Sequence, residues 1–109
     1  MEVHPGVLVS SVSADAWEKD PEVGGEAHVI CDADGVQAGL WRMRQAPAEP
    51  IPFKCPTRET ILVLEGAVRI EIAGGPALDL KQGDIASLPK GAETRWSITA
   101  PFKEFWLLA

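Results

Sequence analysis

Apolar and polar residues alternate along most of this chain in short runs, and glycine or proline separates the runs. A period of two residues is the pattern of a strand with one buried face. The chain has 10 glycines and 9 prolines in 109 residues, and most of them fall between the apolar runs, as turns do. About eight to ten short strands are predicted, which favours an all-β sandwich, jelly roll or small barrel.

The alternation predicts individual elements as well. A helical turn over 13–20 is expected to stop before Pro21. Residues 46–57 carry four prolines and are predicted to form a loop or an irregular edge, since proline cannot donate to a ladder. Residues 59–72 read as a hairpin that turns at Glu65-Gly66, and Pro101 is expected to separate the last two strands. The predicted strands are 7–10, 28–31, 36–46, 59–64, 67–72, 77–80, 85–89, 95–99 and 105–108.

Length and charge narrow the class of protein. With 109 residues the chain is one domain, for which we expect a core over 24–109 and an N-terminal strand or arm, 1–23, that packs on the barrel or swaps onto a partner. The net charge of −6 argues against binding to nucleic acid or to an anionic membrane.

No apolar run approaches the ~20 residues of a membrane span, and no secretion signal is visible, so a cytoplasmic location is expected. Cys31 and Cys55 are expected to be reduced thiols.

Two spacings point to a known family. Glu59 is followed by six residues and Gly66, and Gly83 is followed by five residues, Pro89, one residue and Gly91. Together they resemble the two motifs of the cupin family. The small single-domain branch, with the (S)-ureidoglycine aminohydrolase cupin domain and the ethanolamine-utilisation cupin, is most similar. The resemblance implies an all-β cupin jelly-roll barrel of short antiparallel strands, and a homodimer in which the apolar C-terminal strand pairs across the interface.

The resemblance also shows where this chain departs from the family. Metal-binding cupins carry histidines at the positions occupied here by Phe53, Cys55 and Thr94, so only Glu59 of the usual ligand set remains. One thiol and one carboxylate fall short of the ligands that zinc or non-heme iron takes. We therefore expect no metal and no cofactor. His28 lies on a predicted strand but at no motif position, and it is expected to be an ordinary strand histidine.

Glu59 is the central candidate, because the resemblance directs it into an apolar barrel. A buried carboxylate must be paired or protonated, and Arg42 or Arg44 is the predicted partner. Such a pair is either a structural bridge or a ligand-binding or acid–base pair. Cys55 is expected to face the cavity, more as a small buried hydrophobe than as a nucleophile.

Three more side chains are candidates at the same place. Thr94 either bonds a ligand or fills the space of the lost histidine. Trp41 and Trp96 either line a pocket or belong to the core or an interface.

The main hypothesis is a small-molecule-binding cupin with a degenerate metal site. It would take a small polar or anionic metabolite through Arg42 or Arg44, Glu59, Cys55 and Thr94. One alternative is an enzyme, metal-independent or with an unorthodox metal site. It would be a hydrolase, lyase or isomerase on a ureide-, amine- or sugar-acid-like substrate, with Glu59 as the acid/base. A second alternative is a structural dimerisation module whose barrel is filled with side chains.

Overall fold

Ten β-strands and no helix make up the computed structural model, which describes residues 1–109. No helix long and apolar enough to span a membrane is present. The predicted all-β class is therefore confirmed. The strands are β1 Glu2–His4, β2 Val7–Leu8, β3 Glu18–Lys19, β4 Glu26–Ala33, β5 Val36–Met43, β6 Ile51–Lys54, β7 Glu59–Ile72, β8 Ala77–Lys81, β9 Ile85–Leu88 and β10 Glu93–Leu108.

The strands form a small hairpin, β1–β2, and one antiparallel sheet of eight strands in the order β3-β4-β5-β10-β7-β8, with β6 on β10 and β9 on β7. Strand β10 is the centre of this sheet. Its C-terminal half lies between β5 and β7, while its N-terminal half lies between β6 and β7. Because β10 changes partner along its length, the sheet curls around one interior, as in the jelly roll that the sequence implies.

The interior is filled by the alternate residues of β5, β7 and β10. On β7, Ile61 and Val63 point inward before Gly66, and Val68 and Ile70 do so after it. The inward phase therefore shifts by one residue at Gly66, which is how an irregularity turns a strand without ending it.

The predicted hairpin at 59–72 is wrong. Residues 59–72 are one strand, because both halves find their partner in β10: Ala67 lies opposite Thr99, and Glu65 lies opposite Lys103. Gly66 does adopt the positive φ that was expected, 76°, but it uses that conformation for a bend and not for a turn.

Two other predictions of local structure are also wrong. Pro101 does not separate two strands, since β10 runs through it from Glu93 to Leu108. The helical turn over 13–20 is absent, and β3 pairs there with β4 instead. In both places, pairing within the sheet outweighs the conformational preference of the local sequence. The proline-rich stretch contains an edge strand, β6, so the expected irregular edge is confirmed.

The N-terminal segment contacts the outside of the sheet at a few places. The Ser10 hydroxyl lies 2.7 Å from Nε2 of His28, and the carbonyl oxygen of Ala16 lies 2.8 Å from its Nδ1. Lys103 Nζ donates to the Val12 carbonyl at 3.0 Å. His28 is thus a strand histidine satisfied by this segment, as expected.

Gly66 provides a test of how the fold is held. A Cβ at this position would collide with the carbonyl oxygens of Pro101 and Thr99 on β10, in addition to the strain of the positive φ. We expect Gly66→Ala to lower the free energy of unfolding by about 3 kcal/mol. In a domain of this size that lowers Tm by more than about 10 °C in thermal unfolding.

Gly74→Ala is the matched control. Gly74 has nearly the same φ, 74°, but an added Cβ would meet nothing within 4 Å. Its substitution should cost only the backbone strain, about 1 kcal/mol. Equal losses in the two variants would show that the close approach of β7 to β10 is unimportant.

Candidate functional site

A cavity of about 220 Å³ opens between the inward faces of β5, β7 and β10. Its walls include Trp41, Phe53, Trp96 and Trp106, and residues of the 20–23 segment border its rim. The pocket is concave and largely aromatic, with a few polar groups, which is the usual composition of a small-molecule site. It lies where the resemblance expected the barrel mouth.

Glu59 faces this cavity from the first residue of β7. Its side chain is buried, with 6% of the residue exposed, and its Oε1 atom has no hydrogen-bond partner. Burial raises the pKa of Glu59 from its ordinary 4.5 to about 7, because the charged form loses its hydration without gaining a partner. Glu59 therefore exchanges its proton close to neutral pH.

Glu104 is a second buried carboxyl on the same cavity, and the sequence analysis missed it. It lies on β10 opposite Val63 and Trp41, is only 3% exposed, and leaves its Oε1 atom without a partner. Burial first, and then the charge of Glu59, raise its pKa well above the ordinary value. The signal was present in the alternation, since Phe102, Glu104 and Trp106 share one face of the strand.

The predicted pairing of Glu59 with Arg42 or Arg44 is wrong. Both guanidinium groups bind Glu26 on β4, with each Nε 3.0 Å from Glu26 Oε1. The hydrogen bond from Arg42 is the main reason that the pKa of Glu26 is lowered. Arg42 also stacks over the Trp17 ring at 4.1 Å. Neither arginine lines the cavity, because the alternation of β5 turns them away from Trp41 and Met43.

Cys55 and Thr94 lie beside the cavity wall and not in its lining. Cys55 is 1% exposed, and burial, helped by the charge of Glu59, raises the pKa of its thiol to about 11. Thr94 Oγ1 donates to the Phe53 carbonyl at 2.7 Å and accepts the Trp96 indole N–H at 2.9 Å. Cys55 is therefore a buried packing residue, and the Thr94 hydroxyl is taken up by two hydrogen bonds within the protein.

This donor set does not fit the metal that many cupins carry. Phe53 has no donor atom, the Thr94 hydroxyl is engaged, and a thiol with a raised pKa is a poor ligand, because the thiolate is the form that binds metals. Nowhere do three or more His, Cys, Asp or Glu side chains come together as a metal-binding group.

Trp41 and Trp96 are brought together as aromatic walls of the cavity. Their ring centroids are 6.4 Å apart and the rings meet at 88°, an edge-to-face arrangement that forms a corner. The Trp41 indole N–H donates to the Gly24 carbonyl at 2.9 Å, which ties the 20–25 segment to β5. Both tryptophans serve the core and the pocket at once, so the two expectations for them are compatible.

The buried charge of Glu59 predicts an unusual pH dependence of stability. Its folded pKa is raised, so the unfolded chain releases the proton first, and the free energy of unfolding falls between about pH 4.5 and pH 7. The Glu59 contribution over this range is about 3 kcal/mol. Urea unfolding at pH 5 and pH 8 should therefore show a smaller difference in Glu59→Gln than in the wild type.

Glu71→Gln is the matched control, because Glu71 lies on the outward face of the same strand. It should leave the pH difference unchanged. The lowered pKa of Glu26 contributes with the opposite sign, below about pH 4.5, and does not affect this range. A Glu59→Gln variant with the wild-type pH difference would contradict a buried, unpaired carboxyl.

Comparisons with known proteins agree with this fold. Residues 33–105, more than half of the chain, match the EutQ-like cupin domain. No curated protein matches the chain.

Three solved structures are similar to this chain in fold. A cupin superfamily protein from Desulfitobacterium hafniense DCB-2 has 18% identity and a TM-score of 0.65, over 75% of this chain and 73% of that one. The EutQ protein of Clostridium difficile has 15% identity and a TM-score of 0.65, over 81% and 64%. A DUF861 family protein from Thermotoga maritima has 26% identity and a TM-score of 0.58, over 64% and 76%. By the extent of the family match, this chain belongs to the EutQ-like cupin domains.

Proposed function

We propose that this EutQ-like cupin domain binds a small polar molecule in the barrel mouth, and that Glu59 and Glu104 accept hydrogen bonds from it. One observation carries the proposal. Two buried carboxyl groups each leave an oxygen without a partner, and both groups line the same cavity. A buried polar atom without a partner costs about 1–3 kcal/mol, and a ligand that donates hydrogen bonds removes that cost.

The position of the arginines changes the expected ligand. An anionic metabolite was expected because Arg42 and Arg44 were placed in the mouth, whereas both are bound to Glu26 outside it. The remaining polar groups of the cavity are mainly carboxyls. We therefore propose a polar ligand that donates hydrogen bonds to the carboxyl groups, and not an anion.

An enzyme is the second candidate, and the pKa of Glu59 near 7 is the observation in its favour. A carboxyl with a pKa near the working pH is suited to take a proton from a substrate and return it. Glu104 would then hold the substrate from the neighbouring strand, β10. The reaction types expected from the resemblance, and the link to ureidoglycine aminohydrolases, stay predictions.

A purely structural dimerisation module is less well supported. A module of that kind would have its barrel filled with side chains, whereas about 220 Å³ is open here. The homodimer itself stays a prediction, and it is compatible with a ligand site in each barrel.

The proposal predicts binding that is specific to the cavity. We would titrate ¹⁵N-labelled protein with small amides, alcohols, polyols and amines, and follow the indole N–H signals of the four tryptophans. At least one compound should shift the signals of Trp41, Trp96 and Trp106, which line the cavity, and leave that of Trp17 in place. Glu59→Gln and Glu104→Gln should each weaken its affinity about tenfold, the effect of one charge-assisted hydrogen bond.

Glu71→Gln on β7 and Glu93→Gln on β10 are the controls, because both side chains are exposed on the same two strands. They should bind the compound as the wild type does. If no compound shifts the cavity tryptophans, or if all four variants lose affinity equally, the proposed site is wrong. Turnover that Glu59→Gln abolishes, with binding retained, would favour the enzyme.

A further inference from the structure

The charged residues that line the cavity are all acidic. Four carboxyl groups border it, from Asp20, Glu22, Glu59 and Glu104, and no lysine, arginine or histidine does. Arg42 on β5 and Arg44 just after it both bind Glu26 on the other face of the sheet, and Lys103 points outward to the N-terminal segment. A ligand in the cavity therefore meets a negative environment that no buried cation offsets.

Two of the three indole N–H groups that line the cavity are already engaged in hydrogen bonds within the protein. The indole N–H groups of Trp41 and Trp96 are bonded to protein oxygens, and the Gln37 amide donates to Asp32 at 3.3 Å. These tryptophans thus offer ring surface to a ligand, and the carboxyls offer acceptor oxygens. An anion would find few donors here, and a neutral molecule would use only part of the site.

Aromatic faces and carboxylates both attract cations. The π-face of an indole attracts a cation, most strongly in a desolvated site, and a carboxylate does so by charge and hydrogen bonding. Trp41 and Trp96 form a corner of aromatic surface. Trp106 adds a third indole, on β10 two residues after Glu104 and opposite Ile61 of β7.

We propose that the ligand of this cavity is a small organic ammonium ion, held between Glu59 and Glu104 and packed against the indoles of Trp41, Trp96 and Trp106. The inference rests on the proposed function and specifies its ligand class. Binding places the positive charge beside the carboxyl groups of Glu59 and Glu104 and leaves the alkyl part on the aromatic walls.

Two sets of probes of matched shape test the charge. The first is butylammonium, 1-butanol and butyrate, and the second is choline with its neutral carbon analogue 3,3-dimethyl-1-butanol. Binding is measured at pH 8, above the pKa of Glu59, through the indole N–H signals of the full chain. The cation should bind at least tenfold more tightly than its neutral partner in one set or both, and butyrate should not bind.

The same probes in variants locate the contact. Glu59→Gln and Glu104→Gln should each lower the affinity for the preferred cation about tenfold and leave that for the neutral analogue within twofold. Glu71→Gln should change neither. Both substitutions alter a buried side chain, so urea unfolding at pH 8 provides a check that the variants are folded.

Four other results would overturn the inference, and each of them leads to a different conclusion. Equal binding of cation and neutral analogue, with sensitivity to both glutamates, keeps the small-molecule site and rejects the ammonium ion. Tighter binding of Mg²⁺ or Ca²⁺ that displaces the ammonium probes would assign the carboxyls to an inorganic cation. Binding of an amide or polyol from the screen above, with no response to any ammonium probe, also rejects the inference alone. If nothing shifts the cavity tryptophans, both proposals fail.

Discussion

The pairing of β7 with β10 is the interaction on which the rest of the structure depends. These are the longest strands, of 14 and 16 residues, and they run antiparallel along most of their length. The ladder brings Ile61 beside Trp106 and Val63 beside Glu104, so one wall of the interior is set by a single register. Gly66 allows both strands to bend together without ending, because only a residue without Cβ fits against β10 there.

The same ladder places two carboxyl groups in an apolar interior, at a cost to stability. A charge buried without a partner is more expensive than any exposed ion pair is favourable. Neither Glu59 nor Glu104 has a basic neighbour among the residues that line the cavity, and burial raises the pKa of both carboxyls. Apolar residues at these two positions would give a higher free energy of unfolding. We therefore interpret Glu59 and Glu104 as parts of a binding site.

The positions that hold metal ligands in other cupins have become part of the wall. Phe53 packs against the core, Cys55 is fully buried with a protonated thiol, and Thr94 bonds both Phe53 and Trp96. Phe53 has no donor atom, the Cys55 thiol is held protonated by its raised pKa, and the Thr94 hydroxyl is taken up by internal hydrogen bonds. The result is a barrel mouth with aromatic walls and acidic side chains, and Glu59 is one of them.

The sequence by itself determined the all-β class, most strand positions and the family resemblance, because alternation and turn glycines are local properties. The inward orientation of Glu59 came from the resemblance and not from the alternation. The sequence did not show that Gly66 bends a strand instead of closing a hairpin, nor that Arg42 and Arg44 bind Glu26. The alternation also placed Glu104 on an apolar face of its strand, but it did not show that this face lines the cavity. Alternation assigns a side chain to a face, but its partner depends on register and on how the sheet closes, and those are decided only in the folded chain.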